Sequence, residues 1–273
     1  MERIKAAIAK ARMSREDAPA AARRPREVAR PRSGRPAAWD RLEQFTPDPA
    51  RLERARIVTH AKEDPAHVPF DILRTRLMKM LERNGWTSVA ITSPTKACGK
   101  TLIACNLALS FARQKAHRTV LADMDLKRPM LGEVLGLRTE RSVGDWLSGE
   151  ASVTETFRCV GDSLAVGVNR QPFRNSAELI QDPVAAEAIA AMKDELRPDV
   201  VIYDLPPVLA SDDALSFAQH VDAVLLIASA GQTKLNELAE SERLIRDMGT
   251  LGGVILNRYD LKSENYYEYD YVY

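Results

Sequence analysis

The chain is poor in cysteine, histidine and aromatic residues: three Cys, four His and 6% Phe, Trp and Tyr in 273 residues. Cys98, Cys105 and Cys159 are an odd number without a pairing pattern. That argues against a disulfide-stapled scaffold and for reduced thiols in the cytoplasm. His60, His67, His117 and His220 share no metal-ligand spacing, so a histidine-built metal centre is not expected. Long apolar runs are also missing. "VVIYDLPPVLA" and "VDAVLLIASA" fall well short of the roughly 20 residues that span a bilayer. "MERIKAAIAKARM" is too short and too charged for a secretory signal. Net charge is only +1, and no nucleic-acid partner is expected.

The near-zero total hides an asymmetry. Residues 1–36 hold eleven Lys/Arg against four Asp/Glu, whereas the end from Ser263 onward is acidic. Such a basic arm suits an anionic surface or partner, or is simply a solvated extension. Residues 1–12 read as a short amphipathic helix, with Ile4, Ala7, Ile8 and Ala11 on one face. Residues 14–66, rich in Ala, Pro and Arg, read as a linker in which Trp39 marks a short docking segment. Domains are therefore expected at 1–66 (basic disordered arm), 67–262 (ordered domain) and 263–273 (tail). In that tail five of the seven tyrosines crowd together: Tyr266, Tyr267, Tyr269, Tyr271 and Tyr273, laced with Glu268 and Asp270.

From His67 the pattern becomes regular. "FDILRTRLMKMLERNG" has helical periodicity and ends on an Asn-Gly cap signal. Strands are expected at "SVAITS", "TVLADMD", "LAVGVN", "DVVIYDLPP", "AVLLIAS" and "GGVILNR". Helices are expected at "GKTLIACNLALSFARQKA", "DPVAAEAIAAMKDELRP" and "KLNELAESERLIRDMG", with a small helical segment at "VGDWLSG". Apolar strands separated by helices give an α/β fold with a mainly parallel sheet flanked by helices.

"SPTKACGKT", residues 93–101, follows a strand and opens a helix, the context of a P-loop. Backbone N–H groups there surround anionic phosphates. Lys100 places a charge on the β- and γ-phosphates, and Thr101 offers a hydroxyl to Mg²⁺. Pro94 stands where the first glycine of GxxxxGK[ST] belongs. "TVLADMDLKRP" ends a strand with Asp123 and Asp125; "DVVIYDLPP" ends another with Asp204. Ligands of open parallel sheets bind beyond the C-terminal strand ends, so all three carboxylates share the P-loop's edge, as Mg²⁺ requires.

On these segments the chain, over residues 67–273, resembles the bacterial tyrosine kinases of capsule and exopolysaccharide systems, within the MinD/ParA-like P-loop group. "ITSPTKACGKT" looks like their Walker A, "VLADMDLKRP" their Walker A′, and "VVIYDLPPVLASDDAL" their Walker B. "NSAELI" looks like their Ser-Glu-Leu segment. The resemblance implies ATP and Mg²⁺ as cofactors. Lys96, Ala97, Cys98, Gly99, Lys100, Thr101, Leu102 and Asn257 hold the nucleotide, and Thr101, Asp123 and Asp204 the metal. Lys100, Asp123 and Asp125 are catalytic, with Asp123 or Asp125 taking the acceptor's proton. Lys127 and Arg128 are candidates for phosphate contact, or a solvated loop. The five tail tyrosines are the acceptors.

The implied function is autophosphorylation regulating exopolysaccharide polymerisation and export. Implied partners are a membrane polysaccharide co-polymerase as activator, a second subunit receiving or giving phosphate, and a tyrosine phosphatase. The implied location is the cytoplasm, recruited to the inner membrane face. Two other functions fit the P-loop: a MinD/ParA-like ATPase switch and a non-catalytic nucleotide-binding module. Two departures from the family stand out. Ala97 puts a Cβ where backbone approaches phosphate. The relatives' Glu-x-x-Arg-x-x-Arg ring motif reads "VPFDILR", keeping only Arg74, so the ring is absent or built through another interface.

Overall fold

The computed structural model describes residues 34–60, 64–114 and 117–259. The N-terminal helix expected at 1–12 and all five tail tyrosines lie outside the described residues.

In chain order the elements are α1 (Ala38–Arg41), β1 (Glu43–Gln44), α2 (Pro49–Arg54), α3 (Val68–Asn84), β2 (Ser88–Thr92), α4 (Lys100–Ala112), β3 (Thr119–Asp123), α5 (Leu131–Leu135), α6 (Val143–Leu147), α7 (Val153–Thr156), β4 (Phe157–Val160), β5 (Leu164–Gly167), α8 (Ser176–Gln181), α9 (Pro183–Leu196), β6 (Val200–Asp204), α10 (Asp213–Ala218), β7 (Ala223–Ser229), α11 (Leu235–Met248) and β8 (Leu251–Asn257). The strands form one sheet in the order β1-β4-β5-β3-β6-β2-β7-β8. Only the β4–β5 pair is antiparallel. Every residue of β2, β3, β6 and β7 is buried, as expected of strands covered on both faces.

Each face carries its own core. On one, α3 and α4 lay Leu77, Leu81, Ile103, Leu107 and Phe111 on Val89, Ile91, Leu121 and Leu225. On the other, Ile189, Met192, Phe217 and Ile245 cover Ala90, Val120, Val201 and Val224. Each such side chain stabilises the fold by roughly 1.5–3 kcal/mol. Helix α4 is buried continuously from Ile103 to Phe111, so its register sets the position of the loop before it. Helix α3 ends where expected, on Gly85 in the left-handed conformation.

Two expectations are corrected. Residues 37–60, read as linker, are ordered, and the described unit starts at Pro36 instead of near His67. Trp39 is buried and its indole N–H donates to Leu196 O at 2.7 Å. The buried side chain of Asn106 on α4 is satisfied by Arg56 O, Leu102 O and the N–H and hydroxyl of Thr59. Apart from the Leu102 bond within α4, these contacts reach far along the chain, so no local periodicity announces them. The sheet also has eight strands where six were read. β4 is only four residues long, hairpinned to β5 past left-handed Gly161. β1 is two residues pairing parallel to β4.

Candidate nucleotide-binding and phosphoryl-transfer site

Strand β2 lies between β6 and β7. The chain leaves it at Thr92, loops through residues 93–99 and enters α4 at Lys100. Neighbouring segments hold this loop by its carbonyls. The amide N–H groups of Val208 and Leu209 donate to Ser93 O and Pro94 O at 2.9 and 3.2 Å. The Gln232 side chain donates to Lys96 O at 3.2 Å, and Asn257 Nδ2 donates to Cys98 O at 2.8 Å. Among the described residues no acceptor meets the backbone N–H groups of residues 96–102; the first paired amide is that of Ile103. Seven consecutive free donors at the start of a thirteen-residue helix form a cradle for an anion. The cradle depends on two left-handed residues, Ala97 (φ 65°) and Gly99 (φ 92°). A Cβ on Gly99 would stand 2.3 Å from Asn257 Nδ2.

The Asp motifs converge on Lys100. Its Nζ lies 2.9 Å from Asp125 Oδ2 and 3.5 Å from Asp204 Oδ1. The Thr101 hydroxyl donates to Asp204 Oδ2 at 2.6 Å. Asp123 is in register with Asp204 on the adjacent strand, but both its carboxylate oxygens accept backbone N–H groups, from Asp125 at 3.2 Å and Leu131 at 3.1 Å. It shapes the turn that presents Asp125.

Three carboxylates around one ammonium leave surplus negative charge in a buried place. Burial, then the charge of Asp204, pushes the Asp123 carboxyl well above its ordinary range. Burial raises Asp204 too, partly opposed by Lys100 and Thr101. For Lys100, burial disfavours the charge, but Asp204 and Asp125 outweigh it and the net shift is upward. Burial, reinforced by Asp204 and Asp123, holds the Cys105 thiol protonated.

Asp204 Oδ1 is a buried oxygen without a hydrogen-bond donor. A buried oxygen held only by the Lys100 ammonium at 3.5 Å, a surplus of negative charge and a neighbouring hydroxyl fit a hard divalent cation. Among the described residues no three or more His, Cys, Asp or Glu converge as a metal cage. Mg²⁺ needs none, since it takes one or two carboxylates and completes its shell with water and phosphate.

Other expected residues land elsewhere. The Lys127 ammonium is engaged by Asp213 and Ser211, both at 2.9 Å, instead of facing the loop. Buried Asp213 also accepts from the Ser176 hydroxyl at 2.6 Å, so the "NSAELI" segment, the Walker A′-like turn and α10 meet at one carboxylate. Cys98 is buried among Thr95, Thr233 and Lys96 O and fills space in the loop. Arg74 donates within its own chain to Asp71 and Ser110. Asn169, Gln232 and Thr233 brace the site without any motif in the sequence. The Asn169 side chain, for instance, donates to Asp123 O at 2.7 Å and accepts from Gly144 N at 3.0 Å.

Residues 89–271 match the CobQ/CobB/MinD/ParA nucleotide binding domain. The chain is 30% identical over 188 residues to the tyrosine-protein kinase YwqD of Bacillus subtilis, covering 67% of this chain and 76% of that protein. It belongs to the bacterial tyrosine-kinase family of the MinD/ParA-like nucleotide-binding group. It is 28% identical over 214 residues to EpsB of Ralstonia nicotianae, covering 77% of this chain but 27% of that relative, so it spans about a quarter of the longer relative's length. The kinase domain of the Escherichia coli tyrosine kinase ETK superposes with a TM-score of 0.69 at 26% identity, covering 77% of this chain and 82% of that domain. Bacterial tyrosine kinases thus supply both sequence relatives and a structural neighbour. No helix among the described residues is long and apolar enough to cross a membrane.

Proposed function

We propose that this family member is an ATP- and Mg²⁺-dependent protein-tyrosine kinase that phosphorylates its own C-terminal tyrosine cluster. The observation that carries the reading is Lys100, Thr101, Asp125 and Asp204 gathered beside a loop of unpaired N–H groups. The loop amides and Lys100 bind and orient the nucleotide phosphates. Thr101 and Asp204 would hold Mg²⁺, which neutralises charge on the β- and γ-phosphate oxygens. A tyrosine oxygen attacks the γ-phosphorus; the bond to the β–γ bridging oxygen breaks and ADP leaves.

A phenol with a pKa near 10 is a poor nucleophile at neutral pH. The proton goes to Asp125, which accepts one backbone N–H on Oδ1 and turns Oδ2 to Lys100, whereas Asp123 is wholly buried with a backbone N–H on each oxygen. Phosphate on several tail tyrosines adds about −1.5 to −2 charge each and loosens any tail-bridged assembly. Through that switch the kinase serves exopolysaccharide polymerisation and export, with a membrane co-polymerase as activator at the inner membrane face and a tyrosine phosphatase to reset it.

The test is incubation of the purified chain with ATP and Mg²⁺, with and without the cytoplasmic segment of its co-polymerase, followed by mass spectrometry of the C-terminal peptide. Phosphotyrosine in the parent but not in Lys100→Met supports the reading. Hydrolysis to free phosphate that five tyrosine-to-Phe changes leave untouched, with no phosphotyrosine, assigns the chain to the ATPase-switch alternative instead. Failure to bind ATP at all leaves only a degenerate binding module.

A further inference from the structure

Strand β8 closes one end of the sheet and pairs only with β7. Among the described residues no strand covers its outer edge. A sheet edge offers unpaired N–H and C=O groups to another segment, and folds blunt such edges with charge, proline or bulges. The β8 sequence "LGGVILN" has neither charge nor proline. Its register shift lies at Gly252, and residues 253–257 then run in regular register with 225–229. A Cβ on Gly253 would meet nothing within 4 Å, which leaves room for a backbone to approach. Val254 pairs with Leu226 of one core and Ile255 with Ile227 of the other. Val254 and Leu256 therefore share the α9–α11 face, and they are 46% and 55% exposed. The opposite face belongs to α3, where Met80 Cε lies 3.2 Å from where a Cβ on Gly252 would stand. Arg76, Lys79 and Arg83 share the Met80 stripe of that helix by their spacing. All three are exposed, and among the described residues no hydrogen bond or ion pair holds them.

We propose that the tyrosine segment of the same chain adds to this edge as a ninth, antiparallel strand, and that this is its resting position. The segment has the period of two that such a strand needs. Tyr267, Tyr269, Tyr271 and Tyr273 stand at odd positions, whereas Glu264, Glu268 and Asp270 all stand at even ones. The strand thus lays tyrosine rings along Val254 and Leu256 and sets its acids toward Arg76, Lys79 and Arg83. Aromatic rings against aliphatic neighbours, and opposite charges side by side, are the contacts that hold an added strand.

The chain's own segment is the natural occupant because it begins where β8 ends. Arg258 takes the left-handed conformation, φ 57°, which hairpin turns use. Residues 258–263 reverse the chain, and residues 264–270 then lie along 251–257. In that register Tyr267 stands opposite Val254 and diagonal to Leu256. Attachment directly after the strand gives the segment a high effective concentration that a free copy lacks. An antiparallel strand on β8 runs away from the C-terminal strand ends, where Lys100 and Asp125 lie, so the parked tyrosines are held out of the site. The parking itself does not depend on the kinase reading; only its release does. Each phosphate adds about −1.5 to −2 charge to the face over Val254 and Leu256, and the strand leaves the edge.

Hydrogen exchange read by mass spectrometry on the full, unphosphorylated chain tests the parking. Amides of residues 264–270 should exchange at least about tenfold more slowly than in an isolated peptide of residues 260–273, as locally structured segments do. Val254→Glu/Leu256→Glu places charge at two exposed positions against the acidic segment and should restore the peptide's rate. Arg76→Gln/Lys79→Gln/Arg83→Gln should give part of that effect, with the difference from the parent shrinking at high salt. Unchanged exchange in β2 and β6 shows that the variants are folded. Peptide-like exchange in the parent overturns the proposal. So does protection that survives the Glu pair, or protection that rises with protein concentration, which assigns the strand to a neighbouring copy. No effect of the Gln triple overturns the stated facing of the acids. With ATP and Mg²⁺ the Glu pair should speed the first phosphorylation of the segment about tenfold, because the competent population is no longer reduced by parking. Equal rates overturn the resting role. A parent chain that protects the segment yet forms no phosphotyrosine fails the kinase reading alone and leaves the parking standing.

Discussion

Asp123 and Asp204 stand opposite each other on neighbouring parallel strands, both fully buried, with the charge of one lysine, Lys100, acting on both. Their raised pKa values mean that the folded chain holds these protons more tightly than the unfolded one. Stability without nucleotide should therefore fall as pH rises from the ordinary carboxylate range through the raised values. Asp204→Asn removes one charge, and its amide oxygen can still accept from the Thr101 hydroxyl. It should raise the melting temperature of the nucleotide-free chain, by about 2–4 °C per kcal/mol gained, and flatten the pH dependence. It should also abolish stabilisation by ATP with Mg²⁺. Thermal melts from about pH 4 to 8 check this; a lower melting temperature at every pH would show the carboxylate to be net stabilising.

The loop's two left-handed residues predict opposite effects. Ala97 sits at φ 65° with a Cβ, a conformation costing about 1–2 kcal/mol for a non-glycine residue. Ala97→Gly should be neutral to stabilising and should tighten nucleotide binding. Gly99→Ala sets a methyl against Asn257 Nδ2 and should weaken binding at least tenfold, about 1.4 kcal/mol. Calorimetric titration with ADP and Mg²⁺ reads both.

Residues 37–60 behave here as core. Trp39→Ala should cost about 3–5 kcal/mol in denaturant unfolding, as large aromatic deletions from cores do. A chain starting at residue 34 should fold, whereas one starting at residue 67 should be strongly destabilised. It loses Leu52, Ile57 and the Thr59 groups that satisfy buried Asn106. Equal stability of the two would refute the structural role of this segment.

Asp213 holds its charge despite burial. Its carboxyl lies below the ordinary range because hydrogen bonds from Ser176, Lys127 and Ser211 outweigh the burial that would raise it. That contribution is present above the unfolded-state pKa and is lost as pH falls through the folded one. Lys127→Met leaves the carboxylate short of a partner and should cost about 1–3 kcal/mol. Adding Asp213→Asn should recover part of that loss. A double variant as unstable as the sum of the singles would mean that the two side chains do not act as a pair.

The alternating strands and helices, the capped end of α3, the phosphate loop and the two Asp motifs were legible in the sequence because each depends on neighbours within a few residues. Apolar runs mark strands buried on both faces, and a strand–loop–helix carrying Gly-Lys-Thr announces its chemistry by spacing. Local pattern therefore determined the α/β class and singled out Lys100, Thr101, Asp123, Asp125 and Asp204, which the fold gathers at one edge of the sheet as the candidate site.

Tertiary structure alone decided the rest, because it depends on groups separated by tens to hundreds of residues. It made Trp39 part of the core through a carbonyl 157 positions away and made a nominal linker into the partner of Asn106. It distinguished the surroundings of Asp123 and Asp125, since only the folded chain shows which carboxylate has a backbone amide on each oxygen and which turns one oxygen to the lysine. It turned Lys127 toward Asp213. Periodicity reports what a residue's neighbours are along the chain, whereas charge, burial and hydrogen bonding depend on what surrounds it in space.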